Sequence, residues 1–479
     1  MNLKHIMKAA KYALKFYIIY VIIFGVIIFG FHKPKISNYL DTHPVDRFWG
    51  ERISQDRVAL VEERYYSGLV RINIIENTQK TLDIAYHTIH DGVSTDIFLS
   101  SILDAADRGV KVRFMLDGLF HNLRGDLKDV IYAFSNHPNI ELKFYEPFNM
   151  FKPWSWNNRL HDKFIIADSQ LAIIGGRNIG DKYFAKDEYN GAAVNDRDVV
   201  IINTEVNDLY DSVIYQIENY FNSIWNHHFS EYPITKLTKR EQRKGQQKLE
   251  YLRDNLESIR KSNPEIFNNS IDWLEVSLPT NKVTLVHNPI ERLNKEPWCW
   301  YEIINLAETA EESIFIQSPY TIPTRDMRKY LDPDKINPDE VNILTNSLSA
   351  SPNLFAFSGY MKYRDRIVDS GAKVYEFQGP GSIHAKSYIY DDRITALGSF
   401  NFDSRSAYLS TETMVIIDSE DFAKDLKKEI EKYTSNSLEV GEDYSYDPDP
   451  LVDEEDVSLA KSFIVKILSI INYPIDYML

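Results

Sequence analysis

The apolar pattern changes period several times along the chain. No residue from Phe16 to Phe31 is charged. Extended back to Ala9 past Lys11 and Lys15, which can snorkel, the run is long enough for a helix to cross a bilayer. Residues 1–35 therefore read as an N-terminal membrane anchor and 36–60 as a polar linker. A cleaved signal peptide is the alternative, but the run ends FGFHKPK without an Ala-x-Ala-like site, which favours an uncleaved anchor. Lys4, Lys8, Lys11 and Lys15 precede the run, while Lys33 and Lys35 follow it. The positive-inside rule then predicts a single-pass protein of the cell membrane, its N-terminus cytoplasmic and its main domain on the outer side.

From Val61 the pattern alternates between short β-branched runs and helical spacing. TLDIAYHTI reads as a strand, STDIFLSSILDAADRGV as a helix with a glycine stop, and KVRFML as a strand again. That is an α/β pattern. The order recurs downstream: SIFIQSPYTIP matches TLDIAYHTIHD, VNILTNS matches VKVRFMLDG, and AKVYEFQGPGSIHAKSYIYDD matches IELKFYEPF leading into RLHDKFIIADS. An internal duplication, with lobes at 61–230 and 281–440, explains the length.

Between the lobes, 231–280 contains KLTKREQRKGQQKLEYLRDNLESIRK, which predicts an exposed, charged helical connection. Acids and prolines at 441–458 predict a surface loop or partly disordered segment. Residues 459–479 place Leu459, Phe463, Ile467, Ile470 and Ile471 on one helix face. Such a face suits either a lipid interface or packing against the core.

Composition narrows the partners. A chain of 479 residues with 44% hydrophobic and 13% aromatic positions is globular and long enough for two domains. Its net charge of −16, from 54 basic and 70 acidic residues, disfavours nucleic acid as a partner. Cys299 is the sole cysteine, so neither an intrachain disulfide nor a cysteine-based metal cluster is possible. Oligomeric state has no signature in the sequence.

Candidate chemistry lies in RLHDKFIIADSQLAIIGGRNIG, which fits H-x-K-x4-D-x6-G-x-x-N through His161, Lys163, Asp168, Gly175 and Asn178. His384, Lys386, Asp391, Gly398 and Asn401 occupy identical spacings in the second half. With each residue type near about 5% of positions, five fixed matches arise by chance well under once per roughly million starting points. Here they occur twice.

Side chains two apart on a strand share a face, so each motif aims a histidine and a lysine at one pocket. Asp168 and Asp391, at the strand end, are expected within reach of a neighbouring imidazole or lysine. The asparagines supply neutral amide donors. Two such pockets brought together suit a phosphodiester. Lysine and asparagine bind non-bridging oxygens, one histidine attacks phosphorus and the other protonates the departing alcohol, with no metal or cofactor required. Asp196 and Glu412, each just before a strand, are candidates to orient the histidines, although a strand-end acid with no such role fits equally. Ser399 can offer a hydroxyl to the phosphate; its counterpart is Gly176. His87, His90, His227 and His228 have no repeated pattern and read as structural or exposed, with a zinc site among them as the alternative.

These motifs resemble the phospholipase D superfamily, whose members carry two His-x-Lys-x4-Asp motifs followed by Gly-x-x-Asn. Within it the chain looks most like bacterial cardiolipin synthases, on GGRNIGDKYF, GSFNFDSRSAYLSTE, LTNSLSASPNLFAFSGYMKYRDRIVDSGAKVYEF and the ending YPIDYML. The resemblance spans residues 61 to 479. It implies a duplicated two-lobed fold of mixed sheets flanked by helices, with the active site at the lobe interface. It also implies transfer of a phosphatidyl group from one phosphatidylglycerol, through a phosphatidyl-histidine, to a second. His161 and His384 carry over as nucleophile and acid/base, Lys163, Lys386, Asn178 and Asn401 as phosphate ligands, and Asp168 and Asp391 as supporting acids. Many bacterial cardiolipin synthases have two N-terminal membrane segments where this chain has one apparent span. A phospholipase D that hydrolyses the same intermediate to phosphatidic acid is the nearest alternative. A nucleic-acid phosphodiesterase and a non-catalytic membrane scaffold are more distant ones.

Overall fold

Short β-branched runs bounded by turn residues become the strands of two large sheets. The computed structural model describes residues 3–184, 186, 192–205, 208–268, 270–338 and 340–479. The first half supplies β1 (Asp56–Val61), β2 (Thr81–Tyr86), β3 (Lys111–Asp117), β4 (Ile140–Tyr145), β5 (Phe164–Ala167), β6 (Leu171–Gly175), β7 (Val194–Asn195), β8 (Asp198–Asn203), β9 (Ser230–Glu231) and β10 (Leu278–Pro279). The second supplies β11 (Lys282–His287), β12 (Ser313–Gln317), β13 (Glu340–Asn346), β14 (Lys373–Phe377), β15 (Ser382–Ile383), β16 (Ser387–Tyr390), β17 (Ile394–Gly398), β18 (Thr413–Asp418) and β19 (Ser437–Glu439).

One sheet runs β10-β1-β8-β6-β5-β2-β3-β4-β9 and the other β11-β18-β17-β16-β12-β13-β14-β19. Without the edge strand β10 the two orders are the same. In each sheet three neighbours, β2-β3-β4 or β12-β13-β14, are parallel, and the remaining pairs are antiparallel. Helices cover the outer faces, where Val93–Asp107 and Lys128–Asn136 bury Phe98, Leu103, Val130 and Phe134 in the first lobe's own core. The chain is therefore duplicated and two-lobed, each half a mixed sheet flanked by helices, as expected.

The inner faces of the two sheets share a core. Phe164, Ile166, Ile174 and Val199 of the first lobe belong to one buried cluster with Ile389, Leu397, Val415 and Ile417 of the second. The helices Val213–Asn226 and Glu420–Thr434 join it through Ile217, Phe221, Leu426 and Ile430. This shared layer brings the starts of β5 and β16 to the lobe boundary.

Several segment boundaries differ from expectation. The sheet begins at Asp56, not near Val61, and the supposed linker packs on the second lobe. Phe48 is fully buried there with Trp300 and Ile303, and Arg47 pairs with Glu302 at 2.7 Å. The expected exposed connection contains β10 and a helix, Lys239–Ser262, that buries Leu249, Leu252 and Leu256. Sparse leucines at helical spacing suffice for one narrow contact stripe even when the other faces are charged. The acidic loop docks as well: Arg364 donates to Tyr444 O at 2.7 Å, and the Tyr446 hydroxyl bonds Glu376. Helix Leu459–Asn472 buries only Val465 and Asn472 and leaves Leu459, Phe463 and Ile470 exposed, so its outer face is apolar and uncovered. One helical stretch, Leu3–Phe31, is long and apolar enough to cross a membrane.

Candidate active site

Each motif spans the first strand of a hairpin, and its two ends have separate tasks. At the far end Asp168 and Ser169 have φ of 52° and 58°, and the Gln170 N–H donates to Ala167 O at 3.0 Å. That is a two-residue turn with both central residues left-handed, a conformation Asp tolerates better than most. The Asp168 carboxylate accepts the backbone N–H groups of Gln79, Lys80 and Thr81 at 2.7, 2.7 and 2.9 Å. Asp391 repeats this on Glu311, Glu312 and Ser313 at 2.9, 2.7 and 3.0 Å. The expectation that these acids reach a histidine or lysine is corrected. At ~3.3 Å per residue, Asp168 lies roughly 16 Å along the strand from Lys163. Both acids instead clamp the loop entering β2 or β12.

At the near end the lobes meet. β15 and β7 pair in parallel across the boundary, Ile383 opposite Asn195, and an isolated parallel bridge sets Leu160 opposite Thr411. Each pairing places the next residue, a motif histidine, beside the acid that follows in the other lobe. His384 Nδ1 lies 2.5 Å from Asp196 Oδ2, and His161 Nδ1 lies 2.9 Å from both Glu412 oxygens. The acids are fully buried, whereas the imidazoles are 16% (His161) and 20% (His384) exposed and so open onto a cleft. Sequence singled out both acids but not the crossing. Each histidine is oriented by a carboxylate of the opposite lobe.

Lys163 and Lys386 are 1% exposed, and each ammonium donates to the carbonyl of its own motif histidine. Lys386 Nζ also lies 2.8 Å from His384 Nδ1. Burial, followed by Lys163 and Lys386, drives His161 well below its usual pKa, and His384 and Arg405 add to the effect. Burial and Lys386 lower His384 to about 4, against the pull of Asp196. Lys163 and Lys386 fall to about 7 and 8, chiefly by burial. The acids differ. Burial raises Glu412 to about 7, whereas burial of Asp196 is outweighed by Lys386 and His384, which hold it below its usual range. Asp196 lowered and His384 lowered describe one pair with opposite demands. Burial beside Lys386 disfavours a second cation, so the pair is held with His384 below its ordinary value and Asp196 below its own.

Asn178 Nδ2 reaches the Tyr183 hydroxyl at 3.2 Å, while Asn178 Oδ1 and Asn401 Oδ1 are buried without partners. Ser399 does not offer its hydroxyl to the cleft. It donates to Glu412 Oε2 at 2.5 Å. A side chain at its counterpart, Gly176, would put a Cβ 2.2 Å from Asp196 Oδ1, so that glycine makes room for the acid that holds His384. His87 Nδ1 lies 2.6 Å from Leu160 O, and its ring centroid lies 5.1 Å from that of His161.

Two features had gone unnoticed. The Arg405 guanidinium donates to Asn157 O and Oδ1 at 3.4 Å, and it also acts on His161. Its signal was present in the repeat, since Arg405 and Lys182 each stand four residues past a motif asparagine. Asp162, between His161 and Lys163, is fully buried and bound to Tyr220 (3.1 Å) and Thr411 (2.5 Å). Its counterpart is Ala385, so no repeat marked it.

Comparison with known proteins bears on the family and the fold. A family model described as cardiolipin synthase, PLD-like domain, matches residues 72–225 and 303–434. A Helicobacter pylori protein is 29% identical over 450 residues, covering 83% of this chain and 84% of its own. Cardiolipin synthase C of Escherichia coli K12 is 28% identical over 403 residues, covering 75% and 80%. Among solved structures, phosphatidylserine synthase of Haemophilus influenzae Rd KW20 superposes over 88% of this chain and 95% of its own, with a TM-score of 0.60 at 15% identity, which bears on the fold alone. With the family model matched on both lobes and over more than half the sequence, the chain belongs to the cardiolipin synthase, PLD-like domain family.

Proposed function

We propose that this protein is a membrane-anchored phosphatidyltransferase that joins two phosphatidylglycerol molecules into cardiolipin through a phosphatidyl-histidine. The observation that carries this reading is the crossed pairing: two histidines with Nδ1 held by buried acids, and two lysines beside them. A carboxylate on Nδ1 fixes the tautomer that leaves the Nε2 lone pair toward the cleft. The cardiolipin synthases of Escherichia coli and Staphylococcus aureus among its relatives support the choice of lipid.

The two half-sites are unequal, and the difference supports unequal roles. Asp196, held ionised, stabilises an imidazolium, so His384 is the acid/base. Glu412, raised by burial, leaves His161 neutral, so His161 is the nucleophile. Lys163, Lys386, Asn178 and Asn401 hold the non-bridging oxygens of the first phosphatidylglycerol. The bound anion offsets the lysine charge that depresses His384, which then takes up a proton. His161 Nε2 attacks phosphorus, the bond to the glycerol oxygen breaks, and His384 gives that oxygen its Nε2 proton. A hydroxyl of a second phosphatidylglycerol next loses its proton to His384 and attacks phosphorus. The phosphorus–nitrogen bond breaks, cardiolipin leaves, and the lysines offset transition-state charge throughout. Residues 1–35 tether the lobes to the cell membrane, with the N-terminus cytoplasmic and the lobes outside.

The test is to incubate the purified full chain with phosphatidylglycerol and resolve the lipids. Cardiolipin plus an equal amount of free glycerol is expected, with no turnover by His161→Ala or His384→Ala. Phosphatidic acid as the sole product would make the enzyme a hydrolase, and absence of lipid turnover would overturn both readings. A lipid-linked histidine trapped in His384→Ala but not in His161→Ala is the expected sign of the nucleophile.

A further inference from the structure

The apolar N-terminal helix ends against the second lobe. Phe29 is 1% exposed, and Asn294 Nδ2 donates to Phe29 O and His32 O at 2.7 and 2.8 Å. Where the chain leaves this helix it encloses a cavity of about 410 Å³ with the second lobe. That volume lies in the range of small-molecule sites, commonly ~300–1,000 Å³. Phe29, Phe31 and Ile36 make its apolar wall, and Lys33, Lys329 and Tyr408 contribute polar groups.

Its surroundings indicate the occupant. The Tyr17 and Tyr20 hydroxyls of the apolar helix donate to Met150 O and Phe151 O, at 3.0 and 2.7 Å, and the Tyr477 hydroxyl donates to Val26 O at 3.3 Å. Thus the helix touches both a loop that exposes Phe148, Met150 and Phe151 and the end of the terminal helix that exposes Leu459, Phe463 and Ile470. Three uncovered apolar surfaces meet on one membrane helix, and one occupant, the bilayer, covers all three. The cavity opens where that helix ends.

The polar groups fit a lipid phosphate. Lys33 is exposed and makes no ion pair among the described residues; Lys329 is exposed and paired with Asp326. The Tyr408 hydroxyl and His32 Nδ1 are buried without partners among the described residues. Tyr408 ends the helix Ser404–Tyr408, which begins three residues after Asn401 and so lies beside the two-histidine site.

We propose that this cavity is a second phospholipid site. An anionic phospholipid of the bilayer sits with its headgroup phosphate between Lys33 and Lys329 and its acyl chains along Phe29, Phe31 and Ile36, separate from the lipid that reacts. The inference rests on the membrane-anchored reading above.

The test uses full-length His161→Ala protein in phosphatidylglycerol nanodiscs doped with a phosphatidylglycerol that carries a photoactivatable group near its headgroup. Labelling is expected on the peptides containing residues 29–36 and 326–330, competed by unlabelled phosphatidylglycerol but not by phosphatidylcholine or by water-soluble sn-glycerol 3-phosphate. Lys33→Glu and Lys329→Glu should each lower it about fivefold. The proposal fails if neither peptide is labelled, if charge reversal leaves labelling unchanged, or if glycerol phosphate alone displaces the lipid. Labelling in a chain whose native form makes no cardiolipin would keep this site and remove the proposed reaction. Turnover without labelling would do the reverse.

Discussion

A histidine that attacks phosphorus needs its Nε2 lone pair in the cleft, and a lysine that holds the phosphate needs its proton. Burial affects both, because it disfavours the charged form of each. In the ligand-free protein His384 is lowered to about 4 and His161 further below its usual value, while Lys163 falls to about 7 and Lys386 to about 8. The sign for turnover follows. Raising the pH through 7 to 8 removes the ammonium protons that attract the phosphodiester, whereas the histidines stay neutral until well into the acid range. The profile of kcat/KM, which reports the free enzyme, is therefore expected to fall with rising pH above about 4, because His384 must take up the proton it gives the leaving group, and to fall more steeply above about 7 to 8, where the lysines also lose theirs. In Lys163→Arg the guanidinium stays charged, so the steeper alkaline limb should move up even if the rate at neutral pH drops. An alkaline limb that does not move would detach Lys163 from phosphate binding. At this scale the sequence disclosed the paired residues but not the partnership. The repeated spacing identified His161, Lys163, His384 and Lys386, and the strand-end positions of Asp196 and Glu412 suggested orienting acids. Which acid serves which histidine depends on how two distant segments face each other, and no local pattern encodes that.

At the scale of the element, the motif turns out to be a hairpin with a functional end and a structural end. Asp168 and Asp391 are legible from spacing as firmly as the histidines, yet each accepts three backbone N–H groups of the loop entering a central strand, far from the imidazoles. Identical spacing marks what the hairpin needs to form as well as what it does. Asp168→Ala leaves those donors without their acceptor and should lower unfolding free energy by about 1–3 kcal/mol, with kcat/KM nearly unchanged below the unfolding range. Denaturant midpoints and initial rates on the same preparation check this, and loss of turnover at unchanged stability would return Asp168 to the chemistry. The alternating periods also made the paired strands legible. Misplaced boundaries share a cause: DRVALV, the first strand, follows a polar stretch, and Leu249, Leu252 and Leu256 are too few to outweigh the charge around them. Such elements owe their burial to the partner they meet, which lies elsewhere in the sequence.

At the scale of the molecule, the crossing makes the lobes interdependent. Each motif histidine takes its carboxylate from the opposite lobe, and the core between the sheets is built from both halves. Arg197, 1% exposed, ties the seam. It pairs with Glu62 at 2.5 Å in its own lobe, and its Nη1 donates to Gln317 Oε1 and Ser387 Oγ of the other at 2.5 and 2.9 Å. Two lobes that shared only a polar surface would unfold separately, as weakly coupled domains do. Here separation would expose the apolar layer and strip both histidines of their acids, so calorimetry on the detergent-solubilised chain should show one transition for both lobes. Arg197→Met removes the bonds across the seam and leaves Glu62 without its cation. A cost on the order of 3 kcal/mol should move the whole transition to lower temperature without splitting it. Two resolved transitions in the unaltered protein, or a shift confined to one, would mean that the lobes fold independently. The crossed acids would then be a consequence of docking rather than part of what holds the lobes together.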